Sequence, residues 1–96
     1  MSRFEHVKFT DEGWKDYLSW FESGDKQAVK KINRLIEDIK KNGPLDGLGH
    51  PERLKYYDEE RYSREINKGD RLVYYPDEKN RSDLVIGACR GHYNDK

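Results

Sequence analysis

An α+β domain is predicted, and three observations predict it. A short alternating segment opens the chain, two amphipathic helical patterns follow with only a three-residue link between them, and four extended segments fill the second half. Helices made consecutively before a run of strands end up on one face of a sheet, so the expected architecture is a strand, an antiparallel helical hairpin, and then four strands. The sheet should be curved and largely antiparallel, with its other face and rim left open. All 96 residues fit one domain, 1–96.

Each element has a local cause. In His6-Val7-Lys8-Phe9, polar and apolar residues alternate, which suits a strand with Val7 and Phe9 facing inward. Thr10 then supplies a capping hydroxyl, and Asp11 and Glu12 place negative charge in a first helical turn. Trp14, Tyr17, Leu18 and Phe21 follow at i, i+3, i+4 and i+7, an apolar stripe expected to be core, and Gly24 is placed to end the helix. Asp25 caps a second helix through Lys41, with Val29, Ile32, Ile36 and Ile39 inward and Lys30, Lys31, Arg34, Lys40 and Lys41 mostly toward solvent. Asn42-Gly43-Pro44 stops it.

The stretch from Pro44 to Pro51 is too rich in Gly and Pro for helix or strand and is expected to present Glu52 from a loop. Strands are expected at Arg53 to Tyr57, Tyr62 to Ile66 and Arg71 to Tyr75, the last two joined by an Asn67-Lys68-Gly69-Asp70 turn. The run from Leu84 to Cys89 is apolar throughout and reads as a strand buried on both faces. At its end come Arg90, Gly91, His92 and Tyr93, which delivers a cation, an imidazole and a phenol to one rim.

Composition narrows the function classes. Nineteen basic and nineteen acidic residues cancel, so no global field steers the chain toward nucleic acid and any such binding rests on local patches. One cysteine, Cys89, forbids an intramolecular disulfide and, lying inside an apolar strand, reads as a small hydrophobe; the expected compartment is the reducing cytoplasm. No leader pattern and no apolar run of about 18 residues is present, so no membrane partner is expected. Three His without paired spacing, one Cys, and no phosphate-binding Gly motif leave no metal or cofactor site to propose.

What remains is Glu52, Lys55, Arg64, Arg71, Arg90, His92 and Tyr93. Taken singly, each has a plain structural reading: a solvated loop acid, strand-edge cations, a surface imidazole, a capping phenol. Taken together they hold what metal-free cleavage of an RNA phosphodiester needs, namely a base for the 2′-hydroxyl, cations for the phosphorane, and an acid for the departing 5′-oxygen. An imidazole with an ordinary pKa of about 6.5 suits the acid, whereas a carboxylate near 4.3 acts as a base only if its site is desolvated.

Ordered motifs along nearly the whole chain carry a resemblance. They are Trp14-x-x-Tyr17-x-x-Trp20, Val29-Lys30-Lys31-Ile32-Asn33-x-Leu35-Ile36, Gly47-x-Gly49-x-Pro51-Glu52-x-Leu54-Lys55, Tyr62-Ser63-Arg64-x-Ile66, Arg71-Leu72-Val73-Tyr74 and Ala88-Cys89-Arg90-x-His92-Tyr93. From about Val7 to Tyr93 the chain resembles the YoeB/Txe branch of the RelE superfamily, the toxins of bacterial type II toxin–antitoxin pairs. The resemblance implies a RelE/ParE-like fold and a metal-independent endoribonuclease that cuts mRNA in the ribosomal A site. It implies Glu52 as general base, Arg71 as the phosphate-stabilising cation, His92 as general acid and Tyr93 as the group that orients the substrate. Lys55, Arg64 and Arg90 become RNA-binding or supporting cations. It further implies a cognate antitoxin, operator DNA bound only through the antitoxin complex, ribosomal RNA contacts and a toxin dimer.

This chain departs from the family pattern in three ways. Glu65 replaces a second arginine, Asn94-Asp95-Lys96 extend past the His-Tyr end, and the net charge is zero where relatives tend to be basic. Two other readings remain open from sequence: a toxin of this fold that inhibits a protein such as a gyrase without cleaving anything, and a module that only binds an antitoxin.

Overall fold

The computed structural model describes residues 3–55 and 57–91. Strand β1 (His6–Phe9) leads into helices α1 (Asp11–Glu22) and α2 (Lys26–Asn42), and β2 (Glu52–Arg53), β3 (Tyr62–Glu65), β4 (Arg71–Pro76) and β5 (Asp83–Ala88) follow. The strands form one sheet in the order β1-β5-β4-β3-β2. Three of the four pairings are antiparallel, and β1 runs parallel to β5, reached through the helical hairpin and the rest of the sheet. The predicted α+β class and the helices-on-one-face layout are both present.

β5 lies between β1 and β4, and its Leu84, Val85, Ile86 and Ala88 are buried, as expected of an apolar run with a neighbour on each side. α2 packs Ile32, Leu35, Ile36 and Ile39 into the main core with Leu72, Tyr74, Leu84 and Ile86 of the sheet. Its ends follow the caps in the sequence: Asp25 accepts from the Ala28 N–H, and Gly43 closes the helix at φ 96°. Leu54, Val73 and Ala88 form a small second cluster. Val73 sits directly between Ser63 and Ala88 in the ladder, which marks out the sheet face away from the main core.

α1 corrects one expectation. Trp14, Leu18 and Phe21 are exposed, at 49%, 39% and 54%, whereas Trp20 is buried and donates its indole N–H to the Cys89 carbonyl at 2.8 Å. Gly13 causes the rotation. A Cβ there would lie 2.3 Å from the Ile86 carbonyl oxygen, so the helix backbone itself rests on β5 along its Gly13 and Trp20 side, and the aromatic stripe turns out. Phe9, Trp14, Tyr17 and Phe21 then stack on one another at the surface, with centroids 5.3 to 5.9 Å apart. Gly→Ala in a helix interior ordinarily stabilises. Gly13→Ala is expected instead to destabilise by about 1–3 kcal/mol, because overpacking against an immobile carbonyl outweighs propensity; urea denaturation of the two chains measures it.

β2 is also shorter than expected. It covers Glu52 and Arg53 only, so Glu52 is a strand residue paired with Ser63, not a loop acid. The chain then leaves the ladder as Leu54 buries its side chain with Val73 and Ala88, keeping one further bond from its N–H to Arg61 O.

Candidate active site

The site is built on the open face because strand side chains alternate. Glu52 on β2, Ser63 on β3 and Val73 on β4 are ladder partners and share that face, and Arg71 joins them two residues from Val73. The Arg71 side chain is only 11% exposed. Its Nε donates to Ser63 Oγ at 2.9 Å, its Nη2 donates to the His50 carbonyl at 3.3 Å, and Nη2 lies 3.5 Å from Glu52 Oε2. A strand-edge surface cation would show none of this. The fork is held in one plane, as phosphate oxygens require of it.

Ser63 and His50, neither among the expected site residues, both hold the Arg71 side chain. Ser63 is fully buried and orients the fork; its only sequence signal is its place in the Tyr62-Ser63-Arg64 motif. His50 adopts φ 52°, a left-handed conformation uncommon outside glycine, which aims its carbonyl at Arg71 and the chain into β2. Its imidazole Nε2 lies 3.9 Å from Glu65 Oε1, so the acid that replaces the family's arginine faces a histidine.

Arg64, expected as an RNA-binding or supporting cation, is buried and does not face RNA; its part is support. Its side chain is 0% exposed, and all five N–H donors are used. Nε donates to Tyr74 Oη at 2.9 Å, Nη1 to Asp38 Oδ2 at 2.6 Å and Leu48 O at 2.9 Å, and Nη2 to Gly43 O at 2.8 Å and Asp46 O at 2.7 Å. The loop from Gly43 to Leu48 is thus folded around one guanidinium. Gly47 belongs to the same knot: at φ 116°, a Cβ there would overlap the Asp38 carboxylate. Tyr74 completes it by donating its O–H to Pro44 O, and burial pushes that phenol up to about 12.

Burial raises the Asp38 carboxyl, but the Leu48 N–H, the Arg64 guanidinium and the Asn42 amide outweigh it and hold the group below the usual range. A folded value below the unfolded one, about 3.9, means that ionised Asp38 stabilises the fold above that pH and that the contribution is lost as pH falls through the lower folded value. Asp38→Asn is therefore expected to flatten the acid limb of the stability–pH curve below about pH 4. Denaturant titrations at a series of acid pH values read the slope.

Arg90 also departs from expectation. It lies 3.9 Å over the Trp20 ring and donates to Ser19 Oγ at 2.8 Å, so it is fastened to α1. Lys55 is exposed in the turn after β2. Cys89 is buried, its thiol pushed up to about 12 by burial, which fits the inert hydrophobe predicted. His92 and Tyr93 lie outside the described residues. Gly91, the residue before them, is tied to the site: its carbonyl accepts from the Arg71 N–H at 2.9 Å and its N–H donates to Asp70 Oδ1 at 2.8 Å. Among the described residues no group of three His, Cys, Asp or Glu side chains converges to hold a metal.

A five-stranded mixed sheet with a helical hairpin on one face and a carboxylate–guanidinium pair on the other is a build shared with a class of small bacterial toxins. The YoeB dimer from Staphylococcus aureus superposes with a TM-score of 0.80 at 42% identity, over 95% of this chain and 99% of that one. The YoeB chain in a heterotetrameric YoeB–YefM toxin–antitoxin complex from the same organism gives 0.77 at 41% identity, with the same coverage. The toxin YoeB of Synechocystis sp. is 45% identical over 87 residues, 91% of this chain and 95% of that protein. The family of YoeB-like toxins of bacterial type II toxin–antitoxin systems matches residues 9–93, and the chain belongs to it.

Proposed function

We propose that this toxin is a metal-independent endoribonuclease that cuts mRNA in the ribosomal A site and so stops translation. Glu52 takes the proton from a ribose 2′-hydroxyl, whose oxygen attacks the adjacent phosphorus. Arg71 holds the phosphorane oxygens as negative charge grows on them. The P–O5′ bond breaks, and His92 gives its proton to the departing 5′-oxygen, leaving a 2′,3′-cyclic phosphate and a 5′-hydroxyl. Tyr93 orients the strand, and Lys55 supplies a further cation near the substrate.

The observation that carries the reading is the Glu52–Arg71 pair at 3.5 Å, with the guanidinium oriented independently by Ser63 and His50. A carboxylate and a guanidinium that meet from strands 19 positions apart in sequence support a base and a phosphate-binding fork acting on one phosphodiester. The Glu52 side chain is 45% exposed, so the desolvation a base needs comes from the strand that covers it.

The partners follow from the family: an antitoxin that neutralises the toxin, operator DNA bound through the antitoxin complex for autorepression, and a second toxin copy. YoeB–YefM assembly and a YoeB dimer are both seen in the Staphylococcus aureus relatives. The exposed Trp14 and Phe21, stacked on the half-buried Phe9 and Tyr17, make an apolar face of the kind a dimer covers. The test is to induce the chain alone in a bacterial host and map 5′ ends of cellular mRNA. Cuts in phase with codons, ending in 5′-hydroxyls, are expected. Growth arrest with DNA damage and intact mRNA would replace this reading with inhibition of a gyrase-like target.

A further inference from the structure

β4 carries the Arg71 site at one end and something different at the other. Arg71, Val73 and Tyr75 are alternate residues of one strand and so share the open face. At Tyr75 the ring lies against Gly87, where an added Cβ would come within 3.1 Å of the ring edge. Gly87 has no ladder partner, because Val73 pairs with Ala88 and Tyr74 with Ile86; this bulge removes the side chain that would otherwise occupy the space. The Arg61 guanidinium then stacks on Tyr75, 3.7 Å from the ring centroid, and is steadied by a hydrogen bond from Nη1 to the Glu60 carbonyl at 2.9 Å. The result is a preformed, flat, cationic surface.

This stack borders a cleft of about 430 Å³, lined by Thr10, Asp11, Tyr57, Arg61, Val73 and Tyr75 among others, with Glu12 on the same wall as Asp11. The volume suits a small planar ligand. On its other side the stack borders a pocket lined by Glu59, Glu60, Glu78 and Arg81, where Arg81 pairs with Glu60 at 3.0 Å and Tyr62 donates to the same carboxylate. The carboxylates on the cleft wall repel phosphate but accept hydrogen bonds from the ring and exocyclic N–H groups of nucleobases. Tyr75 lies four strand steps from Arg71, about 13 Å, which is at most about four nucleotides of stacked strand.

We infer that the Arg61–Tyr75 stack and the cleft beside it form a nucleobase subsite that holds one unstacked base of the RNA strand at a fixed distance from the scissile phosphate. Unpaired bases dock on aromatic rings and on guanidinium planes alike, and this surface offers a guanidinium already ordered by a ring. The inference rests on the nuclease reading above and adds to it a determinant of sequence preference that lies outside the catalytic residues.

The experiment uses bacterial ribosomes programmed with synthetic mRNAs that carry each of the four bases at every position within about four nucleotides of the cut. Arg61→Gln and Tyr75→Leu are each expected to raise KM about tenfold, the size of one lost base stack, with kcat within about threefold of wild type. Base preference is expected to flatten at one position only. Arg61→Gln removes only a partly exposed side chain, so it keeps the test decisive if Tyr75→Leu fails to fold. Intact cleavage with unchanged KM and preference in folded Arg61→Gln overturns the subsite and leaves the nuclease reading standing. So does a variant whose only defect is weaker binding of the antitoxin, which would assign the cleft to a protein partner. A wild-type chain that cuts none of these mRNAs overturns both.

Discussion

Replacing His92 with alanine is expected to slow cleavage of ribosome-bound mRNA by roughly 10²- to 10⁴-fold, the usual worth of a positioned general acid. The leaving 5′-oxygen is a poor leaving group unless it is protonated as the bond breaks, and of the proposed groups the imidazole has the ordinary pKa nearest neutrality. Arg71 keeps its charge and Glu52 must start ionised. The chain reaches His92 directly after Gly91, whose carbonyl and N–H are bound to the Arg71 backbone and the Asp70 carboxylate. Gly91 is thereby anchored to the start of β4. The pH profile separates lost chemistry from lost structure. With an acid whose ordinary pKa is about 6.5, wild-type kcat should fall as pH rises past that region, because the proton to be donated is gone. In His92→Ala that alkaline fall should vanish along with most of the rate. A variant that keeps both wild-type rate and wild-type alkaline fall would remove His92 from the mechanism.

Some of this molecule was written in local pattern and some was not. α2 was legible because its Ile32, Ile36 and Ile39 repeat at helical spacing between an Asp cap and a Gly stop, and the structure buries all three. α1 misled because two apolar faces compete on it. Trp14, Leu18 and Phe21 make the longer stripe, but Gly13 and Trp20 make the face that can approach β5 closely enough to seal it. Periodicity counts apolar residues and does not register the contact that a missing side chain permits. Arg64 misled for a different reason. A lone arginine in a strand reads as surface, and its burial depends on carbonyls from Gly43, Asp46 and Leu48 that only the folded loop brings together. The Glu52–Arg71 pair was not derivable from spacing either; the family pattern assigned both roles, and the ladder through Ser63 explains why the two side chains meet.

Truncating Arg64 should have the largest effect on stability of any single substitution in the described chain. Arg64→Ala leaves the Asp38 carboxylate without its cation, deprives Tyr74 Oη of its donor, and strands the carbonyls of Gly43, Asp46 and Leu48. Breaking a buried ion pair by removing one partner costs about 3–5 kcal/mol, a large share of the stability of a domain of this size. The midpoint of thermal unfolding should drop by more than about 12 °C. Arg64→Lys does not restore the wild type, because an ammonium offers three donors around a point where five planar ones are used. Arg64→Met combined with Asp38→Leu should recover part of the loss, since removing both charges leaves no carboxylate buried without a cation. The damage reaches the site as well. The Gly43 to Leu48 loop leads to His50, whose carbonyl orients Arg71, so the folded fraction of Arg64→Ala should also cleave mRNA more slowly than its concentration accounts for. An Arg64→Ala chain within about 1 kcal/mol of wild type in urea would show that the knot around this guanidinium is decoration on a fold held by its apolar core alone.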